Sequence, residues 1–148
     1  MTPVLVADAS VIVKWLLPGP EPEQDVDVAL SLLSAFRRGQ MLLRQPPHWL
    51  AEVAAVLTRL SPRTVDEDVA DLYAMRLDVL DSVELYQRAS RLARSLDQHL
   101  FDTLYHAVAL ETPGAMLVTA DERYYRKAAS AGAIALLSQW PAELPRGT

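Results

Sequence analysis

Two uninterrupted apolar runs stand out along the chain, and each leads to an aspartate. Residues 4–7 (VLVA) precede Asp8, and residues 115–119 (AMLVT) are followed by Ala120 and Asp121. Neither run alternates polar with apolar positions, so both predict strands that are buried on both faces, as in a parallel sheet. Open α/β folds bind their ligands at the carboxyl edge of such a sheet, and we expect Asp8 and Asp121 to lie there.

Between these runs, helical periodicity alternates with short strand-like segments. Helical spacing predicts helices over residues 9–17, 21–38, 48–60, 64–76, 84–96, 101–111 and 122–131. A capping-box pattern marks the start of one of them, at Thr64 and Glu67. Further strands are predicted over residues 41–43, 79–80 and, at a sheet edge, 134–137. We therefore predict an α/β fold with three α/β/α layers around a mostly parallel, five-stranded sheet. It forms a single domain over residues 1–140, and the tail at 141–148 is expected to fray.

Composition narrows the class of protein. The chain has 148 residues, 51% hydrophobic and 22% charged, which is typical of a globular domain, and no apolar run approaches the roughly 18 residues of a membrane helix. The absence of cysteine excludes disulfides and thiolate metal sites and is compatible with a reducing compartment. Because the start of the chain lacks a signal-peptide pattern, we expect a cytoplasmic location. A net charge of −5 argues against a protein that coats nucleic acid by charge alone.

Four acidic residues lie in stretches that are otherwise uncharged: Asp8, Glu52, Asp102 and Asp121. A carboxylate in apolar surroundings needs a partner, and two such charges ~5 Å apart repel by roughly 3 kcal/mol at an effective dielectric near 20. A hard divalent ion, Mg²⁺ or Mn²⁺, relieves this repulsion because it prefers oxygen ligands. The four acids therefore predict a metal site that activates water for phosphoryl transfer.

Each acid also has a simpler interpretation. Asp121 would cap the helix that follows it, and Asp102 would favour a helix N-terminus by its charge. His99, Asp102 and His106 share one helix face, but no HExxH pattern supports a transition-metal site there. Nucleophilic catalysis through Ser10 is disfavoured because the chain has no GxSxG elbow.

The segments around the four acids resemble the PIN domain family, and in particular its VapC-like toxins. The segments are 6–11 (VADASV), 14–18 (KWLLP), 46–53 (PPHWLAEV), 102–109 (DTLYHAVA) and 117–121 (LVTAD). They follow the family's order and cover nearly the whole chain. Each segment alone is weak evidence, whereas together they are specific.

The resemblance implies a Mg²⁺- or Mn²⁺-dependent endoribonuclease that leaves 5′-phosphate and 3′-hydroxyl ends, the toxin of a type II toxin–antitoxin pair. It makes the four acids the catalytic, metal-binding quartet, with Asp8, Asp102 and Asp121 in direct contact with metal and Glu52 bound directly or through water. The hydroxyls of Ser10 and Thr119 are expected to support the quartet. The resemblance further implies a homodimer that a cognate antitoxin protein silences.

Cationic residues near the acids are candidates for guiding RNA. They are Lys14, Arg123, Arg126 and Lys127, although a solvated helix face explains them equally well. Two other functions stay open from the sequence. A module that binds a partner through residues 15–17 fits the acidic net charge, and a metal-dependent phosphatase or DNA nuclease would use the same acids. The sequence names neither the RNA that is cut, nor the number of metal ions, nor the antitoxin.

Overall fold

A parallel sheet organises the computed structural model, which describes residues 2–17 and 25–140. Its strands are β1 (Val4–Ala7), β2 (Leu42–Gln45), β3 (Asp78–Val79), β4 (Met116–Thr119) and β5 (Ile134–Leu136). They lie in the order β3-β2-β1-β4-β5, and every neighbouring pair is parallel. Within the described residues the predicted five-stranded sheet is therefore confirmed, with β5 at one edge.

Helices connect the strands and form the outer layers of the predicted α/β/α sandwich. They are α1 (Ala9–Ile12), α2 (Val26–Arg37), α3 (Trp49–Leu60), α4 (Val65–Ala74), α5 (Val83–Leu96), α6 (Leu100–Glu111) and α7 (Glu122–Ala128). Short 3₁₀ turns follow at Val13–Trp15, Ala129–Ala131 and Leu137–Gln139. None of the helices in the described ranges is both long and apolar enough to cross a bilayer.

Several element boundaries differ from the prediction. The helix predicted over 9–17 is the single turn of α1 followed by a 3₁₀ turn, since the sequence reaches Pro18 directly afterwards. Strand β2 lies later than the predicted 41–43 because Arg44 and Gln45 pair with β3. Residues 21–24 of the helix predicted over 21–38, and the tail 141–148, lie outside the described residues.

The helix predicted to begin at Thr64 does so, with Thr64 as the N-cap of α4, but the side-chain bonds of the predicted capping box are not formed. Thr64 has φ −113° and ψ 0°, and its hydroxyl donates to Asp68 Oδ2 at 3.0 Å instead of accepting a backbone N–H. An N-cap residue normally has an extended backbone, and its side-chain oxygen accepts a hydrogen bond from a backbone N–H in the first turn of the helix. Ser82 has that conformation at the start of α5, where its Oγ accepts from the Leu85 N–H at 3.1 Å.

The core fills both faces of the two central strands, β1 and β4. From Leu5 to Ala7 and from Leu117 to Thr119, every residue is buried, which explains why neither run alternates polar and apolar positions. Residues 103–109 of α6 are buried as well and pack on these strands. Each Val or Leu side chain buried in this way stabilises the fold by about 1.5–3 kcal/mol.

The register of the sheet brings distant segments of the chain to one edge. Ala7 of β1 is paired with Val118 of β4, so the next residues, Asp8 and Thr119, lie level with each other at the carboxyl edge. The register of β1 with β2 likewise places Gln45 level with Ala7. This edge is where the sequence predicted the site.

Candidate active site

Asp8 lies directly after β1, and both of its carboxylate oxygens accept hydrogen bonds from hydroxyl groups. Ser10 Oγ donates to Oδ1, and Thr119 Oγ1 donates to Oδ2. Each hydroxyl oxygen accepts in turn from a backbone N–H after β4, Ala120 to Ser10 and Asp121 to Thr119, both at 3.0 Å. Two segments that are far apart in sequence therefore hold the Asp8 side chain in one orientation.

Burial raises the pKa of Asp8 to about 6. The hydrogen bonds from Ser10 and Thr119 stabilise the charged form and oppose this rise, whereas the charge of Asp121 adds to it. A cation bound beside Asp8 would compensate for lost hydration and for the repulsion from Asp121. The electrostatics at this end of β1 therefore favour a positively charged ligand.

Asp121 is the N-cap of α7. Its Oδ1 accepts from the Tyr124 N–H at 3.0 Å, so the simpler interpretation as a helix cap is confirmed. The capping bond leaves Oδ2 without a bound donor among the described residues. Asp121 is exposed, and this second oxygen remains available to a cation.

A buried glutamine holds the end of β1 from the opposite side. Gln45 is fully buried, its Oε1 accepts from the Ala7 N–H at 2.9 Å, and its Nε2 donates to the Ala7 carbonyl at 2.7 Å. The side-chain amide thus acts like a further peptide group of β2 and fixes the residue before Asp8. No sequence pattern pointed to Gln45, because a glutamine followed by a proline looks like an ordinary strand end.

Glu52 lies in the first turn of α3, beside a histidine that sequence patterns did not single out. His48 precedes α3, and its Nε2 lies 3.2 Å from Glu52 Oε2 and 2.9 Å from the Phe101 carbonyl oxygen. The His48 ring stacks on Phe101 and also contacts Tyr105, with centroids 4.9 Å apart. His48 therefore joins the start of α3, which carries Glu52, to the start of α6, which carries Asp102.

Asp102 lies in the first turn of α6 and is held by Gln98. Gln98 Nε2 donates to Asp102 Oδ2 at 2.7 Å, while its Oε1 accepts from Lys127 Nζ at 3.0 Å. Lys127 also donates to the Asp97 carbonyl at 2.9 Å. Lys127, predicted as an RNA-guiding residue, is thus tied to the site through the amide that holds Asp102.

The pKa values of two buried tyrosines are affected by the charges of the four acids. Burial raises the pKa of Tyr105, and the charges of Glu52, Asp8 and Asp102 raise it further. The pKa of Tyr124 is also raised by burial first, and then by the charges of Asp102, Asp8 and Asp121. Asp8 and Asp102 thus act by charge on both rings, Glu52 acts on Tyr105, and Asp121 acts on Tyr124.

The four acids, the hydroxyls on Asp8 and the two tyrosines all lie within one matched region. A protein-family model for the PIN domain matches residues 5–130. The chain belongs to the PIN domain family. PIN domains are generally metal-dependent nucleases, so this chain has the fold of a hydrolase that acts on nucleic acid. A comparison with curated proteins gave no match.

The donor chemistry of this PIN domain fits a hard divalent ion, because carboxylate oxygens are the ligands that such ions prefer. The full quartet is not a closed ligand set, however: within the described residues, no group of three or more His, Asp or Glu side chains is arranged to hold an ion. Mg²⁺ is commonly bound through one or two carboxylates and keeps several waters. Asp8 and Asp121, which interact by charge and are bridged through Thr119, fit this smaller set.

His106 is a structural residue of this PIN domain. Its Nε2 lies 2.7 Å from the Gly132 carbonyl oxygen and its Nδ1 lies 2.9 Å from the Tyr124 hydroxyl. Because a carbonyl only accepts, Nε2 carries the hydrogen and Nδ1 accepts from the tyrosine. Burial lowers the pKa of His106 and favours this neutral form. Both nitrogens are occupied, so the geometry does not support the alternative transition-metal site with His99.

The predicted RNA-guiding cations differ in exposure. Lys14 is only 7% exposed, so little of its side chain is accessible to RNA. Arg123 and Arg126 are exposed on α7, directly after Asp121. Of the predicted cations, these two arginines are best placed to meet a phosphate backbone.

Proposed function

We propose that this PIN domain is a Mg²⁺- or Mn²⁺-dependent endoribonuclease, the toxin of a type II toxin–antitoxin pair similar to VapC. The observation that supports the proposal most is the doubly hydrogen-bonded Asp8, held beside Asp121 at the carboxyl edge of the sheet. A buried carboxylate with a raised pKa is a common feature of catalytic sites. The preference for RNA rests on the resemblance to the VapC toxins.

In the proposed site, Asp8 and Asp121 would bind the metal directly, and the resemblance makes Asp102 a third ligand and Glu52 one that binds directly or through water. Because no three of the acids are arranged around an ion in the described residues, Asp102 would have to reach the metal through a water or by turning its side chain. A bound divalent ion would lower the pKa of a water and neutralise charge on the phosphate that is attacked. The protein's own residues orient the acidic side chains of the site. Hydroxyls restrict Asp8, Gln98 restricts Asp102, and His48 restricts Glu52.

The proposed partners are RNA, a cognate antitoxin and a second copy of the chain in a homodimer. Arg123 and Arg126 are exposed and suit contact with RNA phosphates. Trp15 and Leu16 line a groove of about 520 Å³ between the 3₁₀ turn, α2 and α4, in which Arg37 and Asp71 accompany the apolar side chains; such a mixed surface suits a protein partner such as the antitoxin. We place the protein in the cytoplasm, where RNA and antitoxin are synthesised.

The decisive experiment compares wild-type protein with Asp8→Asn on a pool of RNAs, with Mg²⁺, with Mn²⁺ and with a chelator. Asp66→Asn, which changes an exposed acid on α4, is the matched control. We expect wild type and Asp66→Asn to cleave RNA only with metal, and Asp8→Asn to be folded but inactive. Mg²⁺ at 100 times its Kd should also stabilise wild type by about 2.7 kcal/mol, and this stabilisation should be lost in Asp8→Asn.

Other outcomes would point to the alternative functions. Metal-dependent cleavage by Asp8→Asn at the wild-type rate would contradict the assignment of the site. Cleavage of DNA but not RNA would identify a DNA nuclease, and hydrolysis of phosphomonoesters alone would identify a phosphatase. If Mg²⁺ and Mn²⁺ leave the melting temperature unchanged and no nucleic acid is cut, a protein-binding module becomes the better interpretation.

A further inference from the structure

An array of three aromatic rings lies beside the acids, and only its inner ring, His48, has a part in the proposed hydrolysis. The His48 and Phe101 rings are 5.2 Å apart with an interplanar angle of 29°, and the Phe101 and His99 rings are 5.9 Å apart at 43°. Phe101 is 54% exposed, and His99 is exposed as well. His48 forms the inner end of the array, so Phe101 and His99 present its outer part to solvent.

Phe101 is connected to two of the four acids through short contacts. It directly precedes Asp102 in the first turn of α6. Its carbonyl oxygen lies 2.9 Å from His48 Nε2, and the same nitrogen lies 3.2 Å from Glu52 Oε2. Any phosphate that reaches Glu52 and Asp102 therefore brings the adjoining nucleotides next to the exposed rings.

We infer that Phe101 and His99 form a stacking subsite for an unpaired base of single-stranded RNA, next to the phosphate that is cleaved; this inference rests on the proposed function. Aromatic side chains bind splayed-out bases through their π-faces, whereas the bases of a duplex are already stacked on one another. Because every base has a π-face, such a subsite selects for single strands more than for a particular base. An isolated exposed phenylalanine is common on protein surfaces; a connected ring array beside the acids is what distinguishes Phe101.

The test measures binding of a short single-stranded RNA in the Asp8→Asn background, where hydrolysis is stopped. Phe101→Leu removes the ring and keeps an apolar side chain, and Phe101→Trp keeps an aromatic face. Tyr86→Leu is the matched control, since Tyr86 is 41% exposed near the start of α5, away from the connection between α5 and α6. We expect Phe101→Leu to weaken binding about tenfold, near the low end of base–aromatic stacking, whereas Phe101→Trp and Tyr86→Leu change it less than about twofold.

Abasic nucleotides locate the stacked base. An abasic site is placed at each position of the RNA in turn, and each RNA is measured with and without Phe101→Leu. At the stacked position the two changes remove the same contact, so their effects on binding should be non-additive. A duplex of the same sequence should bind both variants equally.

The outcomes separate this inference from the proposed function. The inference is overturned if Phe101→Leu and Tyr86→Leu behave alike, if Phe101→Leu weakens duplex binding equally, or if its effect is additive at every abasic position. Absence of any binding to single-stranded RNA would also overturn it. Wild-type protein that binds RNA in the expected ring-dependent way but cleaves none with Mg²⁺ or Mn²⁺ would refute the proposed nuclease and leave the stacking subsite supported.

Discussion

Gln45→Leu tests whether a side chain, rather than backbone pairing, fixes the end of β1. Leucine is close to glutamine in volume but has no polar atoms. The change leaves the Ala7 N–H and the Ala7 carbonyl without the bonds that they make to Gln45 at 2.9 Å and 2.7 Å. Both residues are fully buried, so water cannot replace the lost partner without opening the core.

The expected loss of stability follows from these two groups. Each buried polar group left without a partner costs about 1–3 kcal/mol, so the two cost about 2–6 kcal/mol. Burying an additional apolar side chain returns about 1–2 kcal/mol. Taking the middle of each range, the net free energy of unfolding should fall by about 2.5 kcal/mol, which corresponds to a fall in melting temperature of about 5–10 °C for a chain of this size.

The assay is urea unfolding of wild type, Gln45→Leu and Gln87→Leu, followed by circular dichroism. Gln87 is exposed on α5 and controls for the general effect of replacing an amide by an isobutyl group. We expect Gln87→Leu to stay within about 0.5 kcal/mol of wild type. A Gln45→Leu variant as stable as Gln87→Leu would refute the reasoning, because it would show that Ala7 does not depend on the glutamine amide.

Two further predictions concern ionisation. Thr119→Val removes the hydroxyl that donates to Asp8 Oδ2, so the pKa of Asp8 should rise above about 6; an unchanged or lower value in a carboxyl NMR titration would contradict this. Burial lowers the pKa of His106 in the folded state, so the unfolded chain binds more protons than the folded one. The protein therefore loses stability as the pH falls through the pKa of an unfolded histidine, near 6.5. His106→Gln should therefore lose less stability than wild type between pH 7 and pH 5 in urea unfolding, and an equal loss would argue against a buried neutral histidine.

The sheet could be predicted because its signal is local. The runs before Asp8 and Asp121 are apolar without alternation, and strands buried on both faces require that pattern. The isolation of the acids in apolar stretches is a local signal as well; Asp8 and Asp102 act by charge on both Tyr105 and Tyr124, whereas the metal site predicted from all four acids stays a prediction. Cap geometry was less predictable than cap position: Asp121 caps α7 as expected, whereas at the start of α4 the hydroxyl of Thr64 binds Asp68 and the backbone is not extended.

The residues alone did not reveal the polar partners that are distant in sequence: the hydroxyl of Thr119, like that of Ser10, was expected only through the family resemblance, and Gln45 was not expected at all. Gln45 contacts a residue 38 positions away, and Thr119 contacts Asp8 across 111 positions. An amide or a hydroxyl has no periodicity that would reveal such a partner. Lys127 shows the same limit, since its ammonium group binds Gln98, 29 positions away.

The contacts around Asp8 explain why a repulsive group of acids is compatible with a stable fold. Asp8 lies level with Thr119 because β1 and β4 are parallel and in register, and the same register brings the loop after β4 to Ser10. The hydroxyls therefore reach Asp8 as a consequence of sheet pairing, without a separate ordering cost for either segment. Burial raises the pKa of Asp8, and the two hydroxyls lower it. Their opposing effect keeps this pKa low enough for a cation to displace the proton. A slip of one residue between β1 and β4 would separate Asp8 from Thr119 and would exchange the side chains that β1 packs into its two buried faces, so the packing that stabilises the sheet also selects the geometry of the site.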